Sequence, residues 1–537
     1  SHEPEPMRRR KPMLIHRAAR VLFVLILAVG AFFHAASGAS ARDFAPILRK
    51  QLQASQASRS TQSREDVAHF YELRNYQPAW SGDDRQRVLE ALKRAGNEGL
   101  NAASYRVPAL PRKAGATKTA AWDVQVTAAF LRYARDVRTG RFQPNKLYKD
   151  VELPKASFDA PDELNAALSQ NALPVFIAGL PPQRPEYAAL RDALARYRAA
   201  VKSWRSLTDI GGRVETLPPP LQQRLWSRLA LDDPSLGAAP EEIAPADLEA
   251  AVRRFQARQE LDADGIIGKD TIGALNVAPA SRIASLKANM ERWRWLPHTP
   301  DRKYIEVNVP SATLKAVKDG QTMLTSAVVI GHREAKTPIL ATGVRSVVLN
   351  PSWPVPASIA SNEIYPKLLA NQAYLQERNM ILSNGPSDDL QGLNINWRTV
   401  RRYPFPYVVE QLPGENNVLG AFLLDMPNRF DTYLHDTPSK ELFDQSARFF
   451  SHGCVRVDKI AELANFVVTG DPATEIPQRA NLPRDKSARL MIAPSLPVYF
   501  VYWSAFLAPD GAIAFRDDVY GRDAILINAM SPAAPKP

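Results

Sequence analysis

Tyr304-Ile305-Glu306-Val307-Asn308-Val309 marks the point at which the period of this sequence changes. Ile305, Val307 and Val309 take every second position, the spacing of a strand that buries one face. The pattern continues through 313–317, 322–330 and 345–349, so the chain from 304 to 508 reads as a β-rich domain. Alternation lapses at about 351–420, where a helical stretch at 359–369 precedes a segment rich in Pro, Asn and Gly, and it resumes at 421–424. An insert explains the lapse, either a helical lid beside a site or an ordinary long surface excursion.

Upstream of 304 the period is helical. Val88, Leu89 and Leu92, then Val126, Phe130, Leu131 and Ala134, recur at helix spacing, which predicts an α-helical scaffold over 42–205. Pro108, Pro111, Pro154, Pro161, Pro181 and Pro182 break it into short helices, and Trp80 and Trp122 read as packed aromatics. A second unit spans 206–278. In it Leu248, Val252 and Phe255 share a helix face beside Gln256, and Asp264-Gly265 supplies turn chemistry. Gly268 reads as a position free of a Cβ, and Asp270 or Thr271 as the N-cap of a following helix. A linker, 279–303, holds an amphipathic helix at 283–296 that ends in Arg292-Trp293-Arg294-Trp295-Leu296-Pro297; packing between domains is its expected role.

With 537 residues, the chain is several times the size of one hydrophobic core, and 45% hydrophobic with 23% charged residues is the composition of folded domains. The formal charge is +12, of which the first 20 residues contribute +4. The remaining +8 is mild and suits an anionic polymer or a membrane surface; no dense basic stripe with interleaved aromatics indicates a nucleic acid partner. At the N-terminus Arg8, Arg9, Arg10, Lys11, Arg17 and Arg20 precede an apolar run at 21–33, followed by Ala39-Ser40-Ala41. Residues 1–41 thus have the layout of a cleaved secretory signal, with an uncleaved membrane anchor as the alternative, and either places the rest outside the cytoplasm. Cys454 is the one cysteine, so no internal disulfide can form and an unpaired thiol needs a role.

That thiol has company. Tyr433-Leu434-His435-Asp436-Thr437-Pro438 precedes Ser451-His452-Gly453-Cys454-Val455-Arg456-Val457. A nearby imidazole, from His435 or His452, can take the proton of Cys454 and make it a nucleophile. Gly453 allows close approach to a substrate carbonyl, adjacent N–H groups offer an oxyanion hole, and Arg456 offers a planar fork for a carboxylate. No metal or other cofactor is expected: the sequence has neither His-Glu-x-x-His nor paired Cys-x-x-Cys, and no Gly-x-Ser-x-Gly suggests a serine hydrolase.

Two resemblances sharpen these readings. Val252-x-x-Phe255-Gln256, Asp264-Gly265-x-x-Gly268-x-x-Thr271 and Ala274-Leu275-Asn276 resemble the three-helix peptidoglycan-binding domain, which implies binding of glycan strands or stem peptides by 206–278. His435 with Ser451-His452-Gly453-Cys454-x-Arg456, preceded by Thr337-Pro338 after Gly331, resembles the L,D-transpeptidase catalytic domain. The whole is similar to the large Gram-negative type of that family, a multidomain α+β protein with helical scaffold, peptidoglycan-binding domain, β-rich catalytic domain with a lid insert, and a C-terminal strand and tail at 509–537.

The resemblance implies Cys454 as nucleophile and His435 as general base, with Ser451, His452, Gly453, Arg456 and Tyr433 around the oxyanion and substrate. It implies cross-linking of tetrapeptide stems at the third residue, with hydrolysis of the same stems, or a non-catalytic wall-binding role, as alternatives. Implied partners are peptidoglycan stems, wall synthases or carboxypeptidases, and carbapenem inhibitors. Asp436 stands where many smaller members have Gly, which leaves open what orients His435.

Overall fold

The computed structural model describes residues 38–54, 61–383 and 395–531. The apolar run at 21–33, expected to direct export, lies outside the described residues. Among those described, no helix is long and apolar enough to cross a membrane.

The chain divides into two compact units. One comprises residues up to 93, 103–134 and 159–177; the other comprises 94–102, 135–158 and everything from 178. The stretch 42–205 therefore contributes to both. The first unit is helical, and its interior is organised by Asp123, 1% exposed. Asp123 accepts hydrogen bonds from the Tyr71 hydroxyl and from the backbone N–H groups of Ala79 and Trp80. Trp80 donates its Nε1–H to Thr127 and meets Phe130 edge-on, so it is a packed aromatic.

The second unit is built on a ten-stranded sheet: β1 (Val151–Glu152), β2 (Lys303–Asn308), β3 (Thr313–Lys318), β4 (Gln321–Gly331), β5 (Ile339–Leu349), β6 (Phe422–Asp425), β7 (Leu434–His435), β8 (Phe449–Ser451), β9 (Val455–Val457) and β10 (Ala488–Val501). Its order is β1-β5-β6-β7-β9-β4-β3-β2-β10, with β8 on β4, and the further pairing of β10 with β5 closes it on itself. Ile305, Val307 and Val309 point into the core with Leu314, Val347 and Phe422. The helix Ile460–Thr469 covers this core through Leu463 and Phe466 and stops at Gly470 in the left-handed region.

A second core joins the helix Pro185–Ala200 to the linker helix Pro279–Trp293. Leu190 and Leu194 face Leu286 and Met290, and Trp293 stacks on Trp503 at 4.4 Å. The flanking basic residues are buried with it: Arg292 is paired with Asp523, and Arg294 with Glu291. The C-terminal stretch 509–537 reads in sequence as a strand and tail. It supplies the strand Ile513–Phe515, paired with Ala505–Leu507, but then forms the helix Arg522–Met530. Its head, Arg522-Asp523, is held inside by ion pairs to Asp150 and Arg292.

Residues 206–278 form three helices, Pro219–Leu229, Pro245–Arg258 and Lys269–Leu275, around Leu248, Val252 and Phe255. The signature residues lock the turn between the last two helices. Buried Gln256 donates to Asp264 Oδ1, Ile266 O and Thr271 Oγ1, and its Oε1 accepts from the Gly265 N–H at 2.8 Å. Gly265 has φ +74°, and a Cβ there would fall 2.8 Å from Glu249 Cγ. Two details differ from expectation. The last helix is capped by Gly268 backbone rather than by Asp270 or Thr271, because Thr271 is drawn inward to Gln256. Gly268 itself has ordinary extended backbone and open space where a Cβ would sit.

Between β5 and β6 the insert forms its own small core of Ile364, Leu368, Met380, Leu382, Trp397 and Val409. Val408–Gln411 pairs with both Trp353–Pro354 and Met380–Ser383. The helical stretch expected at 359–369 is present as Ala357–Ile359, one π-helical turn Ala360–Ile364, and Tyr365–Ala370.

Candidate active site

β7 and β9 run parallel, with Leu434 opposite Val455 and His435 opposite Arg456. Leu434 and Val455 face the core, so the alternation of strand side chains sends Tyr433, His435, Cys454 and Arg456 to the other face. The register is completed by the Val455 N–H donating to the Tyr433 carbonyl. Residues 19 positions apart thereby become neighbours.

His435 is 5% exposed. Its Nδ1 lies 2.5 Å from the Asp436 carbonyl oxygen, which can only accept, so Nδ1 carries the proton and Nε2 presents a lone pair. Burial, reinforced by the Arg456 charge, pushes its pKa down to about 4, and the imidazole is neutral at ordinary pH. The orienting group is thus the backbone of Asp436, which no side-chain change removes. Asp436 is itself tied down: its carboxylate accepts from the N–H groups of Ala421 and Thr437 and from Lys440 Nζ. This bracing accompanies the departure from Gly at that position.

Cys454 is partly buried, and its Sγ lies 3.6 Å from the Asp431 carbonyl with the Tyr433 hydroxyl alongside. Burial pushes the thiol up to about 11, with Asp431 adding to the rise and Arg456 opposing it. The Tyr433 phenol is raised as well, chiefly by burial and then by the thiol, so it stays protonated as a donor. Arg456 forms no ion pair among the described residues, and burial lowers its pKa.

The loop before Cys454 is held from two sides. Gly453 has φ +113°, a conformation that favours glycine. Its N–H donates to Ser451 Oγ at 3.2 Å, and Ser451 Oγ in turn donates to the Cys454 carbonyl. Its carbonyl accepts from Thr337 Oγ1 at 2.9 Å, while Thr337 Oγ1 accepts from the Gly331 N–H. Thr337 is fully buried, and its own carbonyl accepts from Arg522 Nη2. His452 turns elsewhere. Its Nε2 meets Glu363 of the insert at 2.9 Å and its ring lies edge-on to His332. Val252, Phe255, Gln256, Asp264, Gly265, Gly268 and Thr271 belong to the 206–278 unit and are not brought to the thiol. Among the described residues, no cluster of His, Cys, Asp or Glu has the makings of a metal site.

Comparison with known proteins gives three family matches in chain order: "Scaffold domain" over 65–194, "Putative peptidoglycan binding domain" over 221–275 and "L,D-transpeptidase catalytic domain" over 302–474. A curated protein of Haemophilus influenzae, "Putative L,D-transpeptidase", is 31% identical over 270 residues, 49% of this chain and 54% of that protein. The chain therefore spans about half the length of that relative. Among solved structures, an Enterococcus faecium L,D-transpeptidase mutant is 10% identical with a TM-score of 0.18, covering 48% of this chain and 90% of that one. A carbamoyl enzyme of Ldtfm with avibactam is 12% identical at a TM-score of 0.18, covering 38% and 51%. Three domain matches in this order, and a curated relative of the same description, make the chain similar to L,D-transpeptidases over these segments.

Proposed function

We propose that the protein is a periplasmic L,D-transpeptidase that joins peptidoglycan stem peptides by 3→3 cross-links through a thioester on Cys454, with His435 as general base. The observation that carries this is the shared face of Tyr433, His435, Cys454 and Arg456 on β7 and β9. Proton transfer requires rotation about the Cys454 Cα–Cβ bond, turning the sulfur from the Asp431 carbonyl toward Nε2 of His435. The thiol proton passes to Nε2 as sulfur bonds to the carbonyl carbon of the third stem residue. His435 then returns the proton to the departing D-Ala nitrogen as the peptide bond breaks. The side-chain amine of an acceptor stem attacks the thioester, its proton goes to His435, and the sulfur leaves and is reprotonated. The energy of the broken peptide bond is held in the thioester, so no nucleotide is consumed.

The Gly453 N–H is engaged by Ser451, so the oxyanion is assigned to the Cys454 N–H and the Tyr433 hydroxyl. Arg456 takes a stem carboxylate, the 206–278 unit holds the chain on the wall, and the insert gates the cleft. Water in place of the acceptor amine gives an L,D-carboxypeptidase on the same thioester.

Purified tetrapeptide-rich muropeptides incubated with the enzyme should yield product masses of cross-linked dimers with loss of D-Ala. The Cys454→Ala variant should yield none. Cross-links formed by that variant would refute the mechanism, and tripeptides alone would select the hydrolytic reading.

A further inference from the structure

Away from the thiol, the end of the linker and the segment after β1 enclose a cavity of about 250 Å³. Arg138, Lys155, Arg294, Trp295 and His298 line it, and no Asp or Glu does. Arg294 is already matched by Glu291 at 3.0 Å. Arg138 is not: its Nη1 donates to the Gly179 carbonyl and to His298 Nδ1 at 2.9 Å, and it forms no ion pair among the described residues. Lys155 is exposed at the rim.

The donors here outnumber the acceptors. A guanidinium only donates, so His298 Nδ1 is the acceptor in the Arg138 contact and the proton sits on Nε2. His298 is 9% exposed, and its Nε2 is buried without a hydrogen-bond partner; the Arg138 carbonyl faces the ring short of hydrogen-bond geometry. Trp295 Nε1, on a residue 4% exposed, is likewise buried and unpartnered. Burial, and after it the charges of Arg138 and Arg294, push the imidazole pKa down to about 4, so it is neutral at ordinary pH. Unpaired buried donors destabilise a protein unless something accepts from them.

We infer that this cavity binds a small oxyanion, a carboxylate or a phosphate, which takes hydrogen bonds from Arg138, Lys155, Trp295 and His298. The volume accommodates an anion with a few attached atoms, at roughly 30 Å³ per water-sized group, and the cavity opens to solvent, so the rest of a larger ligand can extend outward. The two sources of such a group are the free carboxylate of a peptide and a phosphate ester. The site lies outside the face that carries Cys454, so it stands or falls independently of the reaction proposed there.

Histidine-selective isotope labelling of the full chain gives a direct readout, with His298→Gln identifying the His298 resonances among the eight histidines. Titration with inorganic phosphate and, separately, with acetate should shift those resonances saturably, while choline chloride should not. Arg138→Gln should weaken binding about tenfold, the loss of one charge-assisted hydrogen bond. Lys155→Gln, at an exposed position, should weaken it measurably with folding intact. Tighter binding of acetate assigns a peptide carboxylate, and tighter binding of phosphate assigns a phosphate ester. No saturable shift with either anion, or equal affinity in both variants, would overturn the inference.

Discussion

Cys454 and His435 are both neutral at rest. With the thiol pushed up to about 11 and the imidazole down to about 4, no thiolate–imidazolium pair is expected before substrate binds, and in the proposed mechanism the proton moves as sulfur attacks. Alkylation of the resting enzyme by iodoacetamide should therefore rise about tenfold per pH unit through neutrality and level off only near pH 11. A plateau already reached at pH 7 would show a preformed ion pair instead. Acylation by a carbapenem, followed by intact mass, should slow about 10²- to 10⁴-fold in His435→Ala, the usual contribution of a positioned base. His452→Ala should change it far less, since that ring is committed to Glu363 and His332. Which imidazole faces the thiol was open in the sequence, where His452 is the nearer of the two. Strand alternation favours His435, which shares its face with Arg456 across the ladder. The orienting role of Asp436 was not legible, since it acts through a carbonyl that every residue carries.

The strands that hold this face were legible to the extent that they are long. Alternation exposed Lys303–Asn308, Thr313–Lys318 and Gln321–Gly331, but Leu434–His435 has two residues and no period to read. It is a strand only because β6 and β9 flank it. The same holds for the brace beneath the loop that carries Cys454: Thr337 reaches Gly453 across 116 residues of sequence. Thr337→Val keeps the shape but strands the Gly331 N–H and the Gly453 carbonyl, two buried groups whose loss of partners costs about 1–3 kcal/mol each. The denaturation midpoint should fall and acylation should slow, and Thr337→Ser, which can make both bonds, should restore them. Unchanged acylation in the valine variant would show that Gly453 keeps its conformation unaided. In the 206–278 unit, by contrast, local spacing was enough, because the Gln256 lock closes within 15 residues.

At the scale of the whole molecule the order of parts is written in the sequence, while the partition into units is not, because the contacts that decide it are non-local. The linker helix Pro279–Trp293 illustrates why. Its alternating Arg and Trp suggest packing without naming the partner: Arg292 is 2% exposed and meets Asp523 at 2.5 Å, 231 residues away. Asp523 also accepts from Ser504, whose N–H and hydroxyl are held by Asn289 of the same linker helix. This network fastens the linker to the C-terminal helix Arg522–Met530, and Arg522, the neighbour of Asp523, reaches the carbonyl of Thr337 behind the loop that carries Cys454. Asp523→Ala would leave a buried guanidinium without its counter-charge, which destabilises by about 3–5 kcal/mol. The double change Arg292→Met with Asp523→Leu removes both charges and should be much milder than the single one, since an apolar pair of similar volume needs no compensation. If the bridge also supports the site, acylation of Cys454 in Asp523→Ala should slow at temperatures below its unfolding midpoint and recover in the double variant. Equal stability of wild type and Asp523→Ala in urea denaturation would show that the network does not bind these elements together.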